Sequence, residues 1–522
     1  MSPESAANAA QQIAAGYVAD GQALELGTVV IDDTADASAQ VRIPLATINR
    51  HGLVAGATGT GKTKTLQVIA EQLSAAGVPV LMADVKGDLS GLSRAGEAGD
   101  KITQRATETG DDWTPTAFPV EFLSLGTGGL GIPVRATISS FGPILLSKVL
   151  GLNATQESTL GLIFHWADQN GYLLLDLKDL RSVITFLTSD AGKPQLKNLG
   201  GVSAQTAGVI LRALVNLEAE GGDTFFGEPE LKPEDLLRTD SQGRGIISLL
   251  ELGDQAARPV LFSTFLMWVL ADLFTLLPEV GDVDKPKLVF FFDEAHLLFT
   301  DASKAFLQQV EQTVKLIRSK GVGVFFCTQL PTDVPNSVLS QLGARIQHAL
   351  RAFTPDDQAA LSKTVRTYPK TKVYDLESAL TSLGIGEAIV TVLSEKGAPT
   401  PVAWTRLRAP RSLMASVGDA AITAAATASP LHAVYSETVD RESAYEILSG
   451  KLTSGEGSAP PSDARGYDEL PPAPKLHWWT RLGRWIKGIF ASPAAKSFAR
   501  SAGTAMGREI TRGMMGTGRR RR

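Results

Sequence analysis

The stretch LVAGATGTGKTKTLQVIAEQL, residues 53–73, decides the fold. Within it Gly56-Ala57-Thr58-Gly59-Thr60-Gly61-Lys62-Thr63 fits G-x-x-x-x-G-K-[ST] without a mismatch. The glycines let the backbone wrap with its N–H groups turned toward an anion. Lys62 is placed to reach the β- and γ-phosphates, and the Thr63 hydroxyl to ligate Mg²⁺. The apolar HGLVAG before the loop reads as a buried strand. KTKTLQVIAEQLSAAG after it reads as a helix with Leu66, Ile69, Ala70 and Leu73 on one face and Gly77 as its terminator. Strand, loop and helix agree, and the helix dipole adds to the phosphate site. The expected nucleotide-binding residues are the loop from Gly56 to Thr63 plus Lys64, and the expected cofactors are ATP and Mg²⁺.

Working outward, 522 residues give room for about three domains. Apolar content of 43% and charged content of 20% are those of a soluble globular protein. The one cysteine, Cys327, lies in the apolar run VGVFFCTQ and reads as a small core residue in a reducing compartment. The first residues, MSPESAANAAQQIAAGY, lack the basic and apolar regions of a signal peptide, so the expected location is cytoplasmic. One segment imitates a membrane span: PVLFSTFLMWVLADLFTLLP, residues 259–278. It carries Asp272, Ser263, Thr264 and Thr275, with proline at both ends, and reads as a buried core helix.

Two strands are expected within residues 1–50. From residue 51 strands and helices alternate: the P-loop strand, VPVLMADVKGD and FPVEFLSL. Residues from about 135 to 240 read as helical. GRGIISLLEL returns to strand, followed by strands at 287–293, 321–328 and 345–351 and a closing hairpin-like pair in GEAIVTVLSEKGAPTPVAWTRL. This alternation predicts an α/β fold with a mostly parallel sheet covered on both faces. The expected division is a short N-terminal β segment (1–45), two halves of an ATPase core (46–125 and 243–411), a helical insertion (126–242) and a C-terminal extension (412–522).

PKLVFFFDEAHLLF, residues 286–299, is the second half of the nucleotide site. Its apolar run reads as a central strand buried on both faces, ending in Asp293-Glu294 at the sheet edge where ligands bind. Asp293 is the expected Mg²⁺ partner and Glu294 the group that orients and deprotonates the attacking water. The letters DEAH also spell a box of two-lobed helicases. Only about 110 residues follow before the folding pattern weakens, too few for a second lobe. His296 therefore reads as a supporting or helix-start residue. Gln329, at the end of GVGVFFCTQLP, is the candidate γ-phosphate sensor. Arg318, ending a helix in KLIRSKG, is the candidate arginine finger offered to a neighbouring subunit, with Arg345 and Arg351 as rivals. Asp84, ending the second strand in DVKGDL, is a candidate for the metal or its waters. GTGGLG at 126–131 fits G-x-G-x-x-G but opens into IPVRATI, which is no helix start, so it reads as a loop.

Taken in order, NRHGLVAGATGTGKT, ADVKGDLSGL, LVFFFDEAHLLF, IRSKGVGVFFCTQLPTDVP and RIQHALRAFTPDDQAAL resemble the HerA-like branch of the FtsK–HerA motor ATPases, and within it the YjgR-type bacterial group. The resemblance spans about residues 45–411. It implies a RecA-like core, a homo-oligomeric ring that is usually hexameric, ATP sites between subunits, and double-stranded DNA as the moved partner. It also carries the family roles onto Lys62, Thr63, Asp84, Asp293, Glu294, Gln329 and Arg318. Protein or peptide transport, and a scaffold timed by hydrolysis, are the competing functions. Two departures stand out. About 50 residues precede the P-loop, too few for the N-terminal barrel of HerA itself, and GD replaces the usual GE after the second strand.

Charge is divided unevenly. Residues 475–522 hold 12 Lys and Arg against one acid, Glu509; with a net charge of −5 for the chain, the remainder stands at −16. LHWWTRLGRWIKGIF, residues 476–490, is amphipathic at helical spacing. The basic tail reads as a solvated extension docking on its own acidic body, with a membrane-surface anchor and a non-specific phosphate grip as the other readings.

Overall fold

A computed structural model describes residues 2–84, 87–196, 200–252, 259–281 and 283–454. The linker composition after 454, the amphipathic stretch 476–490 and the terminal arginines, with the docking, membrane and phosphate readings attached to them, lie outside the described residues.

Among the described residues, twelve strands make one sheet. They are β1 (Ala23–Ile31), β2 (Thr34–Pro44), β3 (Gly52–Ala55), β4 (Val80–Asp84), β5 (Val120–Leu125), β6 (Ile132–Val134), β7 (Ile247–Glu251), β8 (Leu288–Phe292), β9 (Val322–Thr328), β10 (Ala344–Gln347), β11 (Glu387–Thr391) and β12 (Ala403–Leu407). Their order is β2-β1-β12-β11-β10-β3-β9-β8-β4-β7-β5-β6. From β10 to β6 every neighbouring pair is parallel. From β2 to β10 every pair is antiparallel. The expected N-terminal pair and closing hairpin thus extend the ATPase sheet through the β1–β12 pairing.

Strand periodicity explains the layering. In β8 and β9 every residue is buried, so alternate side chains feed two separate cores. Phe290, Phe292, Val324 and Phe326 enter one core, while Val289, Phe291, Phe325 and Cys327 enter the other. Ring contacts tie the strands across each face: Phe292 stacks on Phe326 at 5.4 Å on one, and Phe291 meets Phe325, tilted, at 5.3 Å on the other. The P-loop helix, Lys62–Ala75, covers the second face through Leu66, Ile69, Ala70 and Leu73, the four residues its periodicity picked out.

The helices Ile138–Val149, Ala154–Gln169, Leu177–Thr188 and Ala204–Ala219 share the first face's core with Pro259–Leu276 and Lys304–Ile317. Pro259–Leu276 is the apolar segment that imitates a membrane span. Phe262, Phe265 and Trp268 are buried within it, and among the described residues no helix is long and apolar enough to cross a membrane.

Residues 411–413, where the sequence pattern weakens, are strapped down by polar contacts, whereas further on Ile422, Leu431, Tyr435 and Leu448 are buried in the apolar cores. Gln67 donates to the Ser412 hydroxyl at 2.7 Å and the Leu413 carbonyl at 3.0 Å. The Glu71 carboxylate accepts the N–H groups of Arg411 and Ser412, both at 2.9 Å. Periodicity misses such a strap because hydrogen bonds, with few apolar side chains, hold it to the P-loop helix.

Candidate nucleotide site at the carboxyl edge of the sheet

Because β3, β9, β8, β4 and β7 are parallel, their C-terminal ends share one edge, where ligands bind in open α/β sheets. Along that edge come the P-loop after β3, Thr328-Gln329 after β9, Asp293-Glu294 after β8, Asp84 ending β4 and Glu251 ending β7. Four sequence-predicted groups, far apart along the chain, are therefore brought together by strand order alone.

The loop's glycines do different work. Gly56 has φ +151°, and a Cβ there would lie 2.5 Å from the His348 Cβ. Gly61 has φ +114°, and its Cβ would lie 3.1 Å from the Gly386 nitrogen. Gly59 has φ +81° and open space around it. Thr60 closes the turn by donating to the Ala57 carbonyl at 2.7 Å. Lys62 donates to the carbonyls of Gly56 at 2.6 Å and Ala57 at 3.2 Å, so its ammonium lies over the loop. Thr63 follows in the helix's first turn, half-buried. Lys64 turns away, donating to Gln67 Oε1 at 3.2 Å and the Met414 carbonyl at 3.1 Å. Burial pushes the Lys64 pKa down, against the pull of Asp88, Asp84 and Glu71.

Burial, then the neighbouring Glu294, pushes the Asp293 carboxyl up; a Cys327 thiol hydrogen bond and the Lys62 cation oppose this. Cys327 is buried as expected, yet its thiol faces the site acid. Glu294 has φ +48° and donates its N–H to Asp293 Oδ1 at 2.9 Å. A non-glycine residue there costs about 1–3 kcal/mol and is held only where its surroundings impose it. His296 begins the helix His296–Phe299, and its Nδ1 lies 3.4 Å from Glu294 Oε2. The helix-start part of its reading is thus seen, while Glu294 Oε2 makes no hydrogen bond to it among the described residues.

Gln329 is exposed beside the loop, since the Gly56 N–H donates to the preceding Thr328 carbonyl at 3.2 Å. Asp84 is buried and accepts the N–H groups of Gly87 and Leu89, both at 2.7 Å, so its carboxylate shapes the turn after β4. Arg318 is exposed at the other edge of the sheet. It ends the helix that leads into β9, a strand whose seven residues span about 20 Å. Its guanidinium is therefore remote from the P-loop of its own chain. Arg345 donates to the Thr367 carbonyl at 3.2 Å. Arg351 donates to the Thr58 carbonyl at 3.4 Å and so belongs to its own chain's P-loop.

The sequence reading missed the wall that supports the loop. The Ala57 N–H donates to the Ala349 carbonyl at 2.9 Å, and the Gly386 N–H to the Thr60 carbonyl at 3.1 Å. His348, buried under Gly56, sits 2.9 Å from the Thr65 hydroxyl. Burial, then Lys62, lowers its pKa to about 4, so the ring is neutral. RIQHALRAF carried a signal, an apolar strand ending in polar and basic residues. Its meaning depended on β10 pairing with β3. Glu251 was also missed. Burial, then Asp84 and Asp419, pushes its carboxyl up to about 8, and Oε1 has no hydrogen-bond partner among the described residues.

Fold and site together define a RecA-like P-loop ATPase. The glycine loop with its left-handed turns, the Lys62 ammonium lying over it and the half-buried Asp293 suit a Mg²⁺–nucleoside triphosphate. The chain belongs to the HerA-like helicase family: the family described as "Helicase HerA-like C-terminal" matches residues 30–522. Among solved structures, the bacterial conjugative coupling protein TrwBΔN70 in an unbound monoclinic form is similar, with TM-score 0.51 and 16% identity over 78% of this chain and 94% of that one. TrwB in complex with ADP and Mg²⁺ gives 0.50 and 16% over 74% and 90%. TrwB with the non-hydrolysable ATP analogue ADPNP gives 0.51 and 16% over 78% and 95%. Identity this low carries the fold alone. No curated protein matches the chain.

Proposed function

We propose that this protein is an ATP-driven motor that assembles as a homo-oligomeric ring, hexameric as in its family, and moves along double-stranded DNA in the cytoplasm. The observation that carries the reading is the single sheet edge on which the P-loop, Asp293-Glu294 and Gln329 meet. Lys62 and the loop N–H groups from Thr58 to Thr63 hold the phosphates, while Gly56 and Ala57, whose N–H groups go to the Thr328 and Ala349 carbonyls, fix the loop's base and Lys64 anchors the helix behind it. Thr63 and Asp293 hold the cation, and Asp84 borders it through water. Bound Mg²⁺ neutralises charge on the phosphates and needs few protein ligands besides them. Glu294 orients and deprotonates the attacking water, and Gln329 responds to loss of the γ-phosphate. Arg318, remote from its own P-loop, serves the neighbouring subunit's site. The helical block 126–242 and the segment 300–345 supply the surfaces that touch what is moved. TrwB structures with ADP–Mg²⁺ and ADPNP support the choice of nucleotide.

The acidic balance of residues 1–474 favours a second reading, in which the same motor moves a polypeptide. ATP hydrolysis by the full chain, with and without double-stranded DNA across a salt series, separates the two. Stimulation that falls steeply with salt supports the DNA motor. Turnover indifferent to nucleic acid leaves the polypeptide reading. No Mg²⁺-dependent ATP consumption refutes the motor altogether.

A further inference from the structure

Among the described residues, no large apolar side chain is more exposed than Phe353, at 85%, followed by Ile385 at 76%. Both project from the wall beside the P-loop. Phe353 lies two residues beyond Arg351, whose guanidinium reaches the Thr58 carbonyl. Ile385 precedes Gly386, whose N–H donates to the Thr60 carbonyl. β10 and β11 are antiparallel neighbours, with Gln347 opposite Ile389, so the segments that carry Phe353 and Ile385 meet the sheet at one edge.

Folding does not account for either exposure. Phe353 precedes the N-cap of the helix Pro355–Val365, where an apolar residue can pack against the fourth helical position. That position is Gln358, whose side chain donates to the Ala352 carbonyl instead. The backbone is nevertheless fixed, because the Asp357 carboxylate accepts the N–H groups of Phe353 at 3.1 Å and Thr354 at 2.9 Å. Arg105 likewise holds the Ile385 carbonyl at 3.3 Å and the Gly386 carbonyl at 3.2 Å. An aromatic ring and a branched aliphatic chain are therefore presented to solvent from pinned backbone, next to the loop that grips phosphate.

We infer that Phe353, flanked by Ile385, is the platform on which the nucleotide's purine base stacks. The inference rests on the nucleotide reading of the P-loop and adds what holds the other end of the ligand. Two side chains match the area of a heterocycle, whereas a stable interface between copies needs about 1,000 Å². Stacking on a π-face discriminates little between bases, so ATP and GTP analogues depend on Phe353 alike.

The test is equilibrium binding to the full chain with Mg²⁺, by calorimetry, using ADPNP, the corresponding GTP analogue and inorganic tripolyphosphate. Phe353→Ala weakens both nucleotides roughly 5- to 100-fold and leaves tripolyphosphate unchanged, and Phe353→Trp restores them. Unchanged ADPNP affinity in Phe353→Ala overturns the inference, as does an equal loss for tripolyphosphate, which would mean a disturbed loop. Light scattering on the same samples covers the rival occupant. If assembly weakens while the affinity of each chain for ADPNP is retained, Phe353 belongs to an interface between copies and the platform is refuted. If the unaltered chain binds neither ADPNP nor tripolyphosphate, the nucleotide reading itself has failed.

Discussion

Replacing Gly56 with alanine tests the P-loop geometry more sharply than deleting its lysine, because the structure sets its size against a neighbouring control. At φ +151° the backbone lies in a region that is essentially glycine's alone, costing about 1–3 kcal/mol for another residue. The new Cβ would also lie 2.5 Å from the His348 Cβ and 3.1 Å from its backbone, which has no flexible end to swing away. Such overpacking adds about 1–3 kcal/mol. The total, about 2–6 kcal/mol, is divided between fold stability and nucleotide affinity. Gly59→Ala is the control. Its φ of +81° is strained, but nothing lies within 4 Å of its Cβ, so about 1–2 kcal/mol is expected. Urea unfolding without ligand gives the first share and ADPNP–Mg²⁺ titration the second. With similar backbone strain at the two sites, the sum for Gly56→Ala exceeds that for Gly59→Ala by the overpacking share, about 1–3 kcal/mol. Equal sums, or the reverse order, would refute the view that His348 and the strand beneath it enforce the loop.

Glu294→Gln keeps ADPNP affinity within a few-fold and lowers turnover by about 10²–10⁴, and retained turnover would remove Glu294 from the role of base. His51 donates from Nε2 to the Val314 carbonyl at 2.8 Å and accepts the Val324 N–H on Nδ1 at 3.0 Å, leaving no place for a second proton. Burial lowers its pKa to about 4, so its contribution to stability is intact above about pH 6.5 and is lost as pH falls toward 4, by about 2 kcal/mol at pH 5. Glu251 runs the other way: with its carboxyl pushed up to about 8, its penalty is felt at high pH and relieved as the group protonates. The histidine share is therefore read as the difference between the unaltered chain and His51→Gln, whose stability loses about 2 kcal/mol less between pH 8 and pH 5; identical pH profiles would contradict this. Arg318→Ala and Lys62→Ala chains, each inactive alone, regain ATPase activity when mixed if Arg318 works across subunits, and stay inactive if it works within its own.

Local order settled much of this molecule in advance. The P-loop needs glycines, a lysine and a threonine at fixed spacing between a strand and a helix, and each requirement is written within eight residues. The phenylalanine runs of β8 and β9 mark central strands because strands buried on both faces lose polar alternation. Strand order decided the rest. His348, Arg351 and Gly386 reach the P-loop only because β10 pairs with β3, Ala344 opposite Gly52 across most of the chain, and β11 in turn pairs with β10. The same topology turned the Cys327 thiol to Asp293 and set Arg318 at the opposite edge from its own P-loop. Periodicity reports which face of a strand or helix is apolar; it carries no record of which strand lies alongside, because that choice comes from packing the whole sheet at once.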